Sequence, residues 1–141
     1  MNRNWLAATV ATLAVIAVVL LGFRALGGPT KQRLVRADQR TVQAIAQLAQ
    51  QINLKWQTSN RTLPESLDKF PDNAKKNPVN GAAFTYRVKS ASEYELCGTF
   101  LTDNRDEPYV NRADPWLHPQ GGYCFTFDPA QQVNVPWVPN Y

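Results

Sequence analysis

Four oxygen-bearing side chains lie within five residues late in the chain: Asp103, Asn104, Asp106 and Glu107. Oxygen ligands of this kind suit hard cations such as calcium. The stretch lacks the ligand order and the glycine of an EF-hand loop, and Arg105 interrupts it. A weak cation site and a solvated acidic loop are both consistent with these residues. We favour the solvated loop.

The chain has a single histidine, His118, and two cysteines, Cys97 and Cys124. One histidine excludes a multi-histidine metal site. A cysteine–histidine nucleophile pair fits poorly, because both cysteines alternate with aromatic residues in strand-like runs and burial raises the pKa of a thiol. No phosphate-binding glycine loop, nucleophile elbow or zinc-protease motif occurs. We therefore expect no enzyme activity and no cofactor. The alternative is a small enzyme or metal-binding protein that uses Trp116, His118 and the acidic loop.

A hydrophobic segment near the start of the chain precedes the part that contains these polar residues. Leu6–Phe23 carries no charge and is apolar except for Thr9, Thr12 and Gly22. As a helix it would reach about 27 Å, close to the ~30 Å apolar thickness of a bilayer. A secretory signal is the alternative, but its apolar core is usually ~7–15 residues long and ends at a small-x-small cleavage site. We expect an uncleaved transmembrane anchor with its juxtamembrane linker over residues 1–29.

One side of this predicted anchor carries small side chains, Ala7, Ala11 and Ala14. Small residues at this spacing let a second membrane helix approach closely. Alanine is also common in membrane spans that have no helix partner. Both interpretations are open.

Charge is divided unevenly along the chain. The net charge is +4. Residues 1–61 hold eight basic residues and one acidic residue, Asp38, whereas residues 62–141 hold seven basic and ten acidic residues. The basic residues nearest the predicted anchor are Arg24, Lys31, Arg33, Arg36 and Arg40. Such a cluster suits anionic lipid headgroups. Its position beside the anchor argues against nucleic acid as a partner.

Two features disagree on which side of the membrane the head lies. The positive-inside rule places the more basic flank, and with it the head, in the cytoplasm. We expect a disulfide between Cys97 and Cys124 that joins the second and last strands, and it would stabilise the head by roughly 3.5 kcal/mol in the chain-entropy model. It would persist only outside the reducing cytosol. Two buried free thiols are the alternative.

Apolar periodicity predicts the elements of a head over residues 30–128. Apolar residues at three- and four-residue steps predict a helix from about Lys31 to Trp56. A proline at its first position predicts a short helix over Pro64–Phe70. Alternation of period two predicts three strands, Phe84–Lys89, Tyr94–Phe100 and Tyr123–Phe127. The predicted fold is α+β: an N-terminal transmembrane helix, then an amphipathic helix packed on a three- or four-stranded antiparallel sheet.

Residues 129–141 are predicted to be a C-terminal tail rich in proline and aromatic residues, and its end, residues 134–141, to be extended and stiffened by prolines. Trp137 and Tyr141 lie among these prolines, and a stiff aromatic segment loses little entropy on docking. We expect Trp137 and Tyr141, together with Trp116 and His118 of the preceding loop, to contact a partner. Two alternatives are open: the tail folds back on its own sheet, and Trp116 and His118 pin the loop to the sheet.

The head contains a set of short motifs: Leu63-Pro64-x-Ser66-Leu67, Pro78-x-x-Gly81, Tyr94-Glu95-Leu96-Cys97-x-Thr99-Phe100, Trp116-x-His118 and Gly121-x-x-Cys124-Phe125-x-Phe127-Asp128. Together they resemble an uncharacterised bacterial family of single-span membrane proteins with small exported heads. That head is similar to the heads of type II secretion pseudopilins and type IV pilins. The resemblance implies a pilin-like head on the periplasmic side of the bacterial inner membrane.

One departure from pilins limits what the resemblance implies. A prepilin is cut between glycine and phenylalanine before its hydrophobic helix, and a glutamate follows five residues into the mature chain. Here Gly22-Phe23 lies at the far end of the apolar segment, without that glutamate. We therefore expect a non-catalytic accessory subunit with one membrane helix. Its host would be an energy-converting respiratory or photosynthetic complex or a secretion or pilus-type machine, and its partners the lipid bilayer and integral-membrane subunits.

Overall fold

The computed structural model describes residues 3–26, 28–107 and 110–136 of the 141-residue chain. The elements are α1 (Arg3–Leu26), α2 (Pro29–Thr58), β1 (Thr85–Ser90), β2 (Glu93–Phe100) and β3 (Gly121–Phe127). They form two compact units, Met1–Leu34 and Val35–Tyr141. The predicted α+β class and the predicted three antiparallel strands are confirmed.

The predicted N-terminal segment is a helix, α1, and its described side chains are almost all exposed. Within the part of the chain that the structure describes, no helix is both long and apolar enough to cross a membrane. The transmembrane part of the fold prediction therefore has no support from these residues. The structure does not describe the side chains of Leu6 and Phe23, the first and last residues of the apolar stretch.

Helix α2 begins and ends where local chemistry dictates. It starts at Pro29, because the fixed φ and missing N–H of proline suit a first helical turn. Beyond Thr58 the chain turns into the left-handed region, with φ of 51° at Asn60 and 58° at Arg61. The N–H of Arg61 donates to the carbonyl of Trp56 at 3.0 Å and so satisfies one carbonyl of the last turn.

The sheet has the order β1-β2-β3 with every pair antiparallel. Tyr94, Leu96 and Phe100 of the central strand are buried in one core with the apolar face of α2. The α2 members of this core are Val42, Ile45, Ala46, Leu48, Ala49 and Ile52. Successive strand residues point to opposite faces, so Glu95, Cys97 and Thr99 face away from the helix. The sheet is therefore packed on one face, as its alternation predicts.

Gly98 marks the closest approach between α2 and the sheet. A Cβ built at this position would lie 3.1 Å from Cδ1 of Ile45 and 3.5 Å from Cε1 of Phe84. The 3.1 Å approach to Ile45 is closer than most real Cβ contacts, whereas 3.5 Å is an ordinary van der Waals distance. The glycine thus leaves room for the isoleucine of the helix.

The prediction of a short helix over Pro64–Phe70 is wrong, because this segment is a series of turns. The carbonyl of Pro64 accepts a 2.8 Å hydrogen bond from the hydroxyl of Tyr86. The hydroxyl of Ser66 donates to Oδ2 of Asp68 at 2.7 Å. Side-chain bonds of this kind compete with the helical ladder, and here they prevail over the preference of proline for a helix start.

The described part of the tail, residues 129–136, packs on the head. The alternative from the sequence was that the tail folds back on the sheet, whereas the hydrogen bonds observed hold it to α2 and the loop. Backbone carbonyls of this segment accept side-chain hydrogen bonds from α2 and from the loop. The donors are Nδ2 of Asn53 to Gln131 at 2.9 Å, Nε2 of Gln50 to Val133 at 3.1 Å and Nε1 of Trp116 to Asn134 at 3.0 Å. Trp137 and Tyr141, the predicted partner contacts of the tail, lie outside the described residues.

Candidate functional site

The long loop between β2 and β3 is held in place by Asn104. Its side-chain Oδ1 accepts a 2.7 Å hydrogen bond from the backbone N–H of His118, and its Nδ2 donates to the carbonyl of Trp116 at 3.2 Å. Its own N–H donates to the carbonyl of His118 at 3.2 Å. Asn104 therefore forms three hydrogen bonds to the backbone of Trp116 and His118, as a neighbouring β-strand would.

This arrangement places the rings of Trp116 and His118 inside the head. The indole ring packs at 5.1 Å from the ring of Phe125, and the imidazole stacks at 4.0 Å on Phe100. Trp116 is 8% exposed and His118 only 2%. Both rings thus pin the loop to the sheet. Contact of either residue with a partner stays a prediction.

The environment of His118 favours the neutral imidazole. Burial away from water lowers its pKa below the ordinary value, and this effect exceeds the opposing ones. The opposing effects are a carbonyl of Pro119, 3.3 Å from Nδ1, the negative charges of Asp38 and Asp103, and a backbone hydrogen bond to Thr102. The ring is therefore uncharged at neutral pH.

Asp38 connects α2 to the end of the central strand. It is 3% exposed, and its carboxylate accepts three hydrogen bonds. The N–H of Leu101 donates to Oδ1 at 2.7 Å, and the N–H and hydroxyl of Thr102 donate to Oδ2 at 2.7 and 2.6 Å. A buried carboxylate with this many donors is satisfied as an anion.

A second buried polar group ties α2 to β2 further along the helix. The hydroxyl of Tyr94 lies 2.6 Å from Oδ1 of Asn53 and 3.1 Å from the carbonyl of Ala49. Tyr94 is fully buried, and loss of hydration raises the pKa of its hydroxyl above the ordinary value. These contacts serve the fold.

A cleft of about 200 Å³ opens beside the loop. Its walls include Asp38, Val42, Asn104, Trp116 and His118. The carboxylate of Asp38 and the amide of Asn104 already hold hydrogen bonds within the protein. The surface that the cleft leaves available to a ligand is therefore mostly apolar.

The acidic loop does not form a ligand set. Asp103 accepts two hydrogen bonds from the guanidinium of Arg105, at 3.0 and 2.6 Å, and this pairing lowers the pKa of Asp103 to about 2. Asn104 points to the Trp116–His118 segment. Across residues 3–26, 28–107 and 110–136, no group of three or more His, Cys, Asp or Glu side chains could hold a metal ion. The cation interpretation of Asp103, Asn104, Asp106 and Glu107 has no geometric support there.

The predicted disulfide is confirmed. Cys97 of β2 and Cys124 of β3 are register partners, with Cα atoms 3.9 Å apart, and their sulfur atoms are bonded. Because Leu96 and Phe125 point into the core, the bond lies on the face of the sheet that is turned away from α2.

The sequence did not indicate that Asp38 and Asn53 are buried residues of α2 that form hydrogen bonds to the rest of the head. Both lie in register with the apolar stripe of α2, since Asp38 precedes Val42 by four residues and Asn53 follows Ala49 by four. A polar residue on an apolar helix face signals a buried hydrogen bond. The sequence does not reveal the partner atoms, because they lie far along the chain.

Comparison with models of protein families, with curated proteins and with solved structures finds no match for this chain.

Proposed function

We propose that this protein is a non-catalytic binding or assembly module held at a membrane by α1. The observation that carries the proposal is the surface of this 24-residue helix. Its apolar side chains are exposed on every side, for example Val10, Leu13 and Val18 at 65, 66 and 69%. No charge interrupts Leu6–Phe23. A helix that is apolar all round needs an apolar environment, and a bilayer supplies one.

The contacts in the head support a non-catalytic role. The side chains best suited to acid–base or ligand chemistry are Asp38, Asn104 and His118. All three hold backbone groups or pack on core rings, at distances that fix the loop to α2 and the sheet. Groups used in this way stabilise the fold, and they are not aimed at a substrate.

The disulfide supports a head outside the cytosol, because such a bond persists in an oxidising compartment. The periplasmic side of a bacterial inner membrane is the compartment that we propose. The order of elements, one long helix followed by a three-stranded antiparallel meander, supports the proposed pilin-like head.

The proposed role is that of a one-helix accessory subunit of a larger membrane complex. Ala7, Ala11 and Ala14 are exposed on α1 at helical spacing and suit close packing of a second membrane helix. Trp137 and Tyr141, which come after residue 136 in the sequence, are the proposed aromatic contacts. The host would be an energy-converting complex or a secretion or pilus-type machine.

Mild-detergent extraction followed by native mass spectrometry tests this role. We expect the full chain to travel with a larger complex, and Ala11→Phe or deletion of residues 137–141 to release it. Ile16→Phe places the same aromatic ring on the opposite side of α1 and should leave the complex intact. A chain that travels alone at every detergent concentration would contradict the accessory role.

One observation favours a different function, a small enzyme or metal-binding protein: the cleft beside Asp38, Trp116 and His118. His118→Gln separates the two proposals, because glutamine keeps a polar side chain of similar reach. If this variant loses a measured activity or a metal-induced rise in melting temperature while its free energy of unfolding is unchanged, the enzyme or metal-binding proposal is favoured.

A further inference from the structure

The outer edge of β3 is open. Among the residues that the structure describes, β3 pairs with β2 on one side and has no backbone hydrogen bond on the other. The register partners Cys97 and Cys124 have Cα atoms 3.9 Å apart, which is typical of a pair whose N–H and C=O groups point away from each other. This orientation alternates along a strand, so the backbone groups of Gly122, Cys124 and Thr126 point to the open edge.

The opposite edge of the sheet, along β1, is protected against pairing with a further strand. β1 carries Arg87 and Lys89, and its register with β2 shifts near its end. Charged side chains and irregularities of this kind discourage strand addition. β3 has the sequence GGYCFTF, with no charge and no proline. Of the two edges, that of β3 is therefore the one suited to pairing.

Helix α2 runs along the central strand of the sheet. At one end, Asp38 accepts the N–H of Leu101 at 2.7 Å, and at the other, Asn53 lies 2.6 Å from the hydroxyl of Tyr94. The two helix residues are about 23 Å apart along the helix axis, and the two strand residues are about 23 Å apart along β2. The axis of α2 is therefore aligned with β2.

The tail flanks α2 on the side of β3. Residues 131–134 accept hydrogen bonds from Asn53 of the helix and from the indole N–H of Trp116. The indole ring in turn packs at 5.1 Å from the ring of Phe125 in β3. We call Pro115, Trp116 and residues 131–134 the shelf. All of these residues belong to the unit Val35–Tyr141.

The shelf lies beneath the position that a fourth strand would take. A helix is about 10–12 Å wide with its side chains, so a chain packed beside α2 lies roughly 10 Å from its axis. Two strand spacings of about 4.8 Å place a strand beyond β3 at a similar distance from β2. A cleft of about 250 Å³ between the shelf and β3 leaves this position accessible. The helical layer of the head is thus one strand wider than its sheet.

We propose that an extended segment of a partner protein pairs with β3 as a fourth strand. An extended chain presents N–H and C=O groups at the two-residue repeat of ~7 Å that Gly122, Cys124 and Thr126 also have. Alternate side chains of the segment would face the shelf, where Trp116 and Val133 favour apolar residues. The other side chains would face solvent. The segment that fits is therefore uncharged over its paired part and alternates apolar with polar residues.

A second copy of this chain fits the same edge poorly. Antiparallel pairing of two β3 strands would form one continuous sheet, with a two-fold axis along the sheet normal. The two α2 axes would then be three strand spacings apart, about 14 Å. Two helices of about 10–12 Å width leave less than ~5 Å between them for both shelves. A single extended segment brings no helical layer of its own and avoids this conflict.

Amide hydrogen exchange of the full chain in detergent micelles tests the proposal. The probe is a nine-residue peptide in which valine alternates with threonine between terminal lysines. We expect the probe, at ~80% occupancy, to slow exchange at the N–H groups of Gly122, Cys124 and Thr126 about fivefold. The same peptide with methylated backbone nitrogens should have no effect, because it lacks the donors that pair with a strand. This inference rests on the proposed binding role and does not require the anchor.

Proline substitutions distinguish the two edges of the sheet. Thr126→Pro removes an N–H that points away from β2, so it should keep the fold and prevent the probe from slowing exchange at Gly122 and Cys124. Val88→Pro makes the same change on the outer edge of β1 and should leave the effect of the probe unchanged. If Thr126→Pro fails to fold, Thr126→Lys takes its place, because a charge on an edge strand discourages pairing.

Three results would overturn the proposal. One is unchanged exchange at the β3 edge in the presence of the probe, and another is equal slowing at the edge of β1. The third is slow exchange at the β3 edge without any peptide, increasing with protein concentration, because a second copy would then be the occupant. A chain that ignores the probe but travels with a larger complex in native mass spectrometry leaves the accessory role standing. Probe binding by a chain that always travels alone does the reverse.

Discussion

At the scale of single residues, Asp38 is the residue whose substitution should lower the stability of the head most. Asparagine at this position offers one acceptor oxygen and turns an NH₂ group towards the donors from Leu101 and Thr102. We expect Asp38→Asn to lower the free energy of unfolding by about 2–4 kcal/mol, because buried donors lose a charged partner. Denaturant unfolding of the full chain measures this change.

The matched control for this prediction is Asp106→Asn, which makes the same chemical change on an exposed loop residue. Its free energy of unfolding should stay within about 0.5 kcal/mol of the wild type. Equal losses in the two variants would show that the buried hydrogen bonds of Asp38 are not the cause.

His118 should make the stability of the head decrease as the pH falls below about 6.5, its ordinary pKa. Burial lowers its pKa in the folded state, so the unfolded chain takes up the proton first as the pH falls. The contribution is fully present above the unfolded pKa of ~6.5 and is lost as the pH drops through the folded value. The free energy of unfolding should therefore decrease on acidification, by at most ~1.4 kcal/mol per pH unit.

His118→Gln should flatten this dependence, because His118 is the only histidine in the chain. The free energies of unfolding at pH 7 and pH 5 are compared for the variant and the wild type. An unchanged difference between the two pH values would mean that His118 titrates with its ordinary pKa in the folded protein.

At the scale of elements, the packing of α2 on the sheet depends on Gly98. We expect Gly98→Ala to lower the free energy of unfolding by about 1–3 kcal/mol, because the new methyl group meets Ile45. In the background Ile45→Val, which lacks Cδ1, the same change should be tolerated better. Gly122→Ala has open space around its Cβ and should have little effect. A double-mutant cycle compares the unfolding free energies of Gly98→Ala, Ile45→Val and the double variant. If the effects of the two substitutions simply add, the proposed contact between residues 98 and 45 is contradicted.

The disulfide links the central strand to the last one across a separation of 27 residues. We expect Cys97→Ser/Cys124→Ser to lower the free energy of unfolding by roughly 3.5 kcal/mol in the chain-entropy model. Reductant should lower the stability of the wild type and leave that of the double variant unchanged. Two alkylated thiols in freshly isolated wild-type protein, detected by intact mass, would count against the bond.

The elements that the sequence predicts well are those that local periodicity determines. The apolar stripe of α2 and the alternation of the three strands both follow from which residues the core must bury. The segment Pro64–Phe70 was mispredicted, because a hydroxyl of Tyr86, far along the chain, takes the carbonyl of Pro64. The three bonds made by Asn104 are equally non-local and have no sequence signature. Cys97–Cys124 could be anticipated because both cysteines lie in predicted strands.

At the scale of the whole molecule, the two units differ in the kind of surface they present. α1 exposes apolar side chains along its length, whereas the head buries its apolar residues between α2 and the sheet. Exposed apolar surface on this scale marks an interaction site in most proteins. The proposed anchor accounts for this contrast.

Alkaline carbonate extraction of membranes from cells that produce the full chain tests the anchor most directly. The account predicts that the protein stays in the membrane pellet with an intact mass that includes Leu6–Phe23. The variant Val15→Arg, with a charge at the centre of α1, should move to the supernatant. Wild-type protein in the supernatant, or a mature chain that begins near residue 25 or 30, would contradict the account.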